Sequence, residues 1–125
     1  MTDASTAGRD VVPNWPAPPH GVRPLPTAQI DSSALPPDYP RLAWIQDDGH
    51  MVGFYGQEGG CTQVHADVRE QTPRMVRIVL VEVTTSSGPC TMDLRFPPLA
   101  VQLDAVLGDR TVVLERQTIG PLPGR

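Results

Sequence analysis

The sequence predicts an all-β protein: a small antiparallel β-sandwich of about seven strands over residues 41–125, preceded by an extended proline-rich arm over residues 1–40. Three observations carry this reading. Short apolar runs recur at roughly ten-residue intervals, separated by Gly, Pro, Asp and Ser turn signals. Several runs alternate between apolar and polar residues, the period of a strand with one wet face. No segment keeps a helical apolar stripe for three turns, and the one helical candidate is a single turn at Asp104–Leu107.

The arm comes first in the chain. It holds nine of the 15 prolines, from Pro13 to Pro40. Proline donates no amide hydrogen and pushes the residue before it toward extended geometry, so neither a helix nor an inner strand suits this stretch. The arm is read as extended, either disordered or packed across the domain through Trp15, Val22, Leu25 and Ile30. A role in binding rather than in folding is expected of it, because few of its backbone groups can join a sheet.

The strands follow in order. Leu42-Ala43-Trp44-Ile45 is the first, and Asp47-Asp48-Gly49 turns it back, since Asp and Gly accept the positive φ that tight hairpins need. Met51–Tyr55 is the second, followed by a glycine-rich loop from Gly56 to Gly60. In the third, Thr62, Val64, Ala66 and Val68 face one way while Gln63, His65, Asp67 and Arg69 face the other. Thr72-Pro73 ends it. The fourth, Met75–Thr84, carries β-branched residues in both phases, so it is expected at the centre, covered on both faces. Ser86–Pro89 is a turn. The fifth sets Met92, Leu94 and Phe96 against Thr91, Asp93 and Arg95, and Pro97-Pro98 stops it. The sixth sets Leu99, Val101, Leu103 and Ala105 against Gln102 and Asp104. Gly108-Asp109 turns into the seventh, Thr111–Leu114, which fades through Ile119.

Cys61 and Cys90 each follow a glycine-containing loop and precede a predicted strand. Meeting at one end of the sandwich, they would form a disulfide, and a body this small gains much from one. Two reduced thiols are the competing reading, because the first residues lack a positive region and an apolar stretch of the kind that directs export. By default the chain is then expected in the cytoplasm.

Chemistry-bearing patterns are sparse. His50, His65 and Asp67 are the candidate metal ligands, with Cys61 added in an enzymatic variant of that reading, but no His-x-His or Cys-x-x-Cys spacing supports them. No Gly-x-Ser-x-Gly elbow, phosphate loop or acid–base carboxylate couple is present, and no motif implies a cofactor. A net charge of −4 without a basic block argues against a nucleic-acid partner, and no apolar run is long enough for a membrane span. All ten basic residues are Arg, so every ion pair uses a planar guanidinium. Trp44 and Phe54 suit the core of a small sandwich, while Trp15, Trp44 and Tyr55 are the candidate binding residues.

A set of motifs stands out across about residues 41–115: Phe54-Tyr55-Gly56 leading into Cys61, then Gly88-Pro89-Cys90-Thr91-Met92-Asp93-Leu94, and finally Leu107-Gly108-Asp109-Arg110-Thr111. With these the chain resembles a group of small actinobacterial β-domain proteins, often secreted or lipid-anchored, that share a Tyr-Gly…Cys segment, a Cys-Thr segment and a closing Leu-Gly-Asp-Arg turn. The resemblance implies a paired Cys61–Cys90 and a setting in the cell envelope or outside the cell. It implies no activity. In the closing turn, Gly108 is expected to supply the special backbone angle, Asp109 to bond nearby amides, and Arg110 to pair with a strand carboxylate.

Together these features favour a non-enzymatic binding or scaffold domain with a protein partner or a second copy of itself. The alternatives are an envelope-exposed accessory domain and a metal-binding protein or enzyme using His50, Cys61, His65 and Asp67.

Overall fold

The computed structural model describes residues 16–85, 89–91 and 93–120. Among these residues eight strands make two four-stranded sheets. In chain order they are β1 (Arg23–Pro24), β2 (Ile30–Asp31), β3 (Ala43–Gln46), β4 (Met51–Tyr55), β5 (Thr62–Gln71), β6 (Met75–Thr84), β7 (Pro98–Gln102) and β8 (Thr111–Ile119). The first sheet runs β1-β3-β4-β7 and the second β2-β8-β6-β5.

The all-β sandwich is therefore what the period-two pattern requires. Along β4, Val52 and Phe54 turn inward; along β6, Val76, Ile78 and Leu80 do the same, and all five are 0% exposed. Val64, Val101, Val112 and Leu114 complete the contacts between the sheets. As expected, β6 lies between two neighbours, and Val79 and Val81 on its other face are buried too. Polar side chains fence them. Asp67 and Glu115 stand opposite Val79, and His65 and Gln117 stand opposite Val81.

The sheets are not purely antiparallel. The first is, but β8 runs parallel to both β6 and β2. A parallel neighbour needs a long crossover, and residues 85–110 supply it by leaving β6, adding β7 to the other sheet and returning.

Among the described residues the predicted fifth strand does not form: between Cys90 and Pro97 only Arg95 makes a β-bridge, an isolated one to Glu58. The alternation there is real, but Leu94 is 60% exposed. The segment is instead clamped against the glycine loop: a β-carbon at Gly59 would fall 2.5 Å from the Asp93 carbonyl oxygen, and one at Gly60 2.7 Å from that of Thr91. The single turn of helix expected at Asp104–Leu107 is likewise absent, Ala105 is exposed, and the segment bends without helical pairing. Arg110 accounts for this. It donates to the carbonyls of Leu107, Ala105 and Val106 and to that of Thr72, so it clamps two loops rather than pairing with a carboxylate.

The described part of residues 1–40 is not a detached arm. β1 pairs with β3 and β2 pairs with β8, so this stretch bridges both sheets. Leu35 (5% exposed) and Tyr39 (0%) enter the core, with Leu25 and Ile30 packed against it. Arg41 makes this possible. Its guanidinium donates to the carbonyls of Ser32, Leu35 and Pro36 and to the Ser32 hydroxyl, satisfying backbone acceptors that prolines leave without a ladder.

Cys61 and Cys90 are disulfide-bonded, with Cα atoms 5.5 Å apart. The turn after β3 carries positive φ at Asp47, Asp48 and Gly49, as the Asp-Asp-Gly sequence predicts. The exposed edge of β5 is partly capped. Glu58 accepts a hydrogen bond from the Val64 amide at 2.9 Å, and Gln71 exchanges two hydrogen bonds with Asp104.

Candidate functional site

The outward face of the first sheet is unusual for a surface. The inward rows are Ala43–Phe54–Leu99 and Ile45–Val52–Val101, so Trp44, Gly53 and Ala100 form an outward row. Trp44 nevertheless is 1% exposed and its outward neighbour Tyr55 is 7% exposed. The indole lies flat over the adjacent strand because Gly53 has no side chain; a β-carbon there would sit 2.0 Å from the indole nitrogen. Its Nε1 donates to Gln46 Oε1 at 2.9 Å. Tyr55 meets the indole edge-on, with ring centroids 5.0 Å apart.

A segment of the chain itself lies on this face. The Tyr55 hydroxyl donates to the Ala17 carbonyl at 2.6 Å across 38 residues. Ala17 is exposed, whereas Pro16, Pro18 and Pro19 are half-buried. Ala17 and Pro18 each precede a proline, so both are restricted to extended or polyproline geometry. The accepting carbonyl is that of the Ala17–Pro18 amide. An aromatic pair with one outward hydroxyl donor beneath an extended proline-rich segment is the arrangement by which proline-rich peptides are commonly held.

The candidate binding residues therefore part ways. Trp44 and Tyr55 come together on one face, outside the core between the sheets, while Phe54 belongs to that core. Trp15 lies outside the described residues. Gly53 and Ala17 were not singled out by sequence. The signal for Gly53 was a glycine inside a strand pattern, which marks a close approach of another group.

The candidate metal residues are not gathered. His50 follows the β3–β4 turn of the first sheet, whereas His65 and Asp67 stand on the outward face of the second. His65 Nε2 lies 3.8 Å from Asp67 Oδ2, and Arg69 reaches that same carboxylate oxygen at 3.4 Å. Cys61 is in the disulfide and has no thiol to offer. Among the described residues no three His, Cys, Asp or Glu side chains converge on a metal position.

One polar island lies inside. Glu82 faces inward on β6 at 7% exposure, with Arg116 Nε 3.3 Å from its Oε2. The Tyr39 hydroxyl is buried beside it. Glu82 and the Gln57 amide both face that hydroxyl, but neither meets it in hydrogen-bond geometry. Burial, reinforced by the Glu82 charge, raises the Tyr39 pKa far above its ordinary value.

An open cleft of about 490 Å³ is lined by Gly21, Arg23, Ile45, Gln46 and the turn at Asp47–Gly49, with no nucleophile among them. Among the described residues no helix is long and apolar enough to cross a membrane. Compared with protein-family models, with curated proteins and with solved structures, the chain gives no match.

Proposed function

We propose that this protein is a non-enzymatic binding domain whose recognition surface is the outward face of β3 and β4. One observation carries the reading: Trp44 and Tyr55 lie on the solvent side of a sheet, yet are buried where an extended segment of the chain is tied down at Ala17. Aromatic side chains offer large contact area with little rotamer freedom to lose, which suits them to binding extended protein segments. The partner is accordingly a protein. The Cys61–Cys90 disulfide supports an oxidising setting, in the cell envelope or outside the cell, in keeping with the resemblance to secreted and lipid-anchored actinobacterial β-domain proteins.

Selection of the full-length chain against a displayed peptide library tests this, with the enriched peptides then titrated by NMR. Shifts concentrated at Trp44, Gly53 and Tyr55 are the expected result. Failure to enrich any peptide, or shifts confined to the β5–β6–β8 face, would overturn it.

A further inference from the structure

We infer that the ligand of this face is an extended proline-rich peptide from a partner protein, and that residues 16–19 of the chain occupy the site in cis as a built-in competitor. This rests on the binding-domain reading above and adds to it a ligand chemistry and a regulatory contact.

The ligand chemistry is written in the segment already seated. Pro16-Ala17-Pro18-Pro19 offers three half-buried rings, and the carbonyl it presents to the Tyr55 hydroxyl precedes a proline. Such a carbonyl belongs to an amide without an N–H, and of the four residues only Ala17 brings an amide donor, so the segment chiefly accepts from the protein. Its backbone is confined before it docks, so little conformational freedom is lost on binding. The platform complements these properties. Gly53 leaves room for the indole to lie over the strand, and Tyr55, edge-on to that indole, donates its hydroxyl to the seated segment.

The seated segment is held locally and nothing past it needs to move. Arg23 and Pro24 pair with β3 and anchor the chain just downstream, and residues 20–22 connect that anchor to the strap. Release of residues 16–19 therefore leaves β1 and the core intact. The short connection also keeps the strap at a high effective concentration over its site, of order millimolar, so a partner peptide binds only in proportion to the fraction of molecules whose strap is off.

The probe is a synthetic peptide of residues 13–20 of this chain, acetylated and amidated, titrated by calorimetry and NMR into two full-length proteins. One is the parent and the other carries Pro16→Ser, Pro18→Ser and Pro19→Ser together. The substituted chain is expected to bind the probe at least ~10-fold more tightly than the parent, with shifts at Trp44 and Tyr55. A control peptide with alanine at its three last prolines should bind at least ~10-fold more weakly than the probe, and Tyr55→Phe in the substituted chain should weaken the probe about 5–10-fold. If the triple variant loses its dispersed spectrum, Pro18→Ser alone carries the same comparison. Equal binding of the control peptide would overturn the proline preference while leaving the face a binding site. Equal affinity of parent and substituted chain would overturn the cis competition. Self-association of the parent that disappears in the substituted chain would also overturn it, because the strap would then serve a second copy.

Discussion

The indole of Trp44 occupies the space above Gly53 that any other residue's β-carbon would fill, 2.0 Å from Nε1. Everything on the outward face of the first sheet depends on that vacancy. With the indole flat, Tyr55 can meet its edge and direct its hydroxyl to Ala17. Gly53→Ala forces the ring off the strand. The expected result is a destabilisation of about 1–3 kcal/mol in urea unfolding, accompanied by a red-shifted tryptophan emission. Emission and midpoint both unchanged would mean that the ring does not lie where the structure puts it.

Reduction of the disulfide tests the other end of the molecule. Cys61 and Cys90 are separated by 29 residues, and closing a loop of that size contributes about 3–4 kcal/mol in the chain-entropy description. The bond also helps hold the segment after Cys90 against Gly59 and Gly60, where its backbone pairing is the isolated bridge between Arg95 and Glu58. Cys61→Ser with Cys90→Ser is expected to lower stability by roughly that amount. The same exchange should increase hydrogen exchange at Glu58 and Arg95, whose amides bond each other's carbonyls. A double variant as stable as the parent would remove the disulfide from the list of what holds the fold.

Much of the fold is legible in the sequence because it is local. The alternation in Thr62–Val68 and the doubly apolar Met75–Thr84 each dictate a strand and its exposure without reference to anything distant. What is not legible depends on partners far along the chain. Thr91–Phe96 alternates as a strand should, yet a covalent tether and two glycines decide its place. The proline-rich stretch reads as an extended arm, disordered or packed through Trp15, Val22, Leu25 and Ile30, and nothing in it singles out Leu35 and Tyr39, which are core where Arg41 collects the carbonyls of Ser32, Leu35 and Pro36. At the candidate face, Trp44 and Tyr55 stand out as aromatics in the sequence. Their union with Ala17 cannot be read there, because it links residues 38 apart.

Arg41 gives that last point a test. A guanidinium can serve three carbonyls and a hydroxyl at once because its donors lie in a rigid plane; an ammonium has three donors and no such fork. Arg41→Lys keeps the charge and loses the clamp. Stability should fall by about 1–3 kcal/mol, with hydrogen exchange accelerated first at the Leu35 and Tyr39 amides, whose bonds to Ser32 and Pro36 close the clamped turns. A lysine variant with parental stability and protection would show that these turns hold without the fork.

Tyr39 makes a prediction in pH. Its hydroxyl is buried beside Glu82 without a hydrogen bond of acceptable geometry, so at neutral pH Tyr39→Phe removes a polar group that gains nothing from its surroundings. Stability at pH 7 should change by less than about 1 kcal/mol, in either direction. The alkaline limb should differ sharply between the two proteins. In the folded state burial, and after it the Glu82 charge, hold the phenol neutral far above its ordinary pKa of 10.0; in the unfolded chain it ionises near that ordinary value. Below about pH 10 both states carry the proton and pH has no leverage through this group. Above it the unfolded state releases the proton first, so the folded state binds more protons and stability falls as pH rises, by up to about 1.4 kcal/mol per pH unit from this residue. Urea unfolding of parent and Tyr39→Phe at pH 8, 9, 10 and 11 measures it. The parent should lose stability more steeply than the variant above pH 10, and the two curves should run together below pH 9. Parallel curves across the whole range would mean that Tyr39 ionises as readily inside the fold as outside it, and would take Tyr39 out of the buried island beside Glu82.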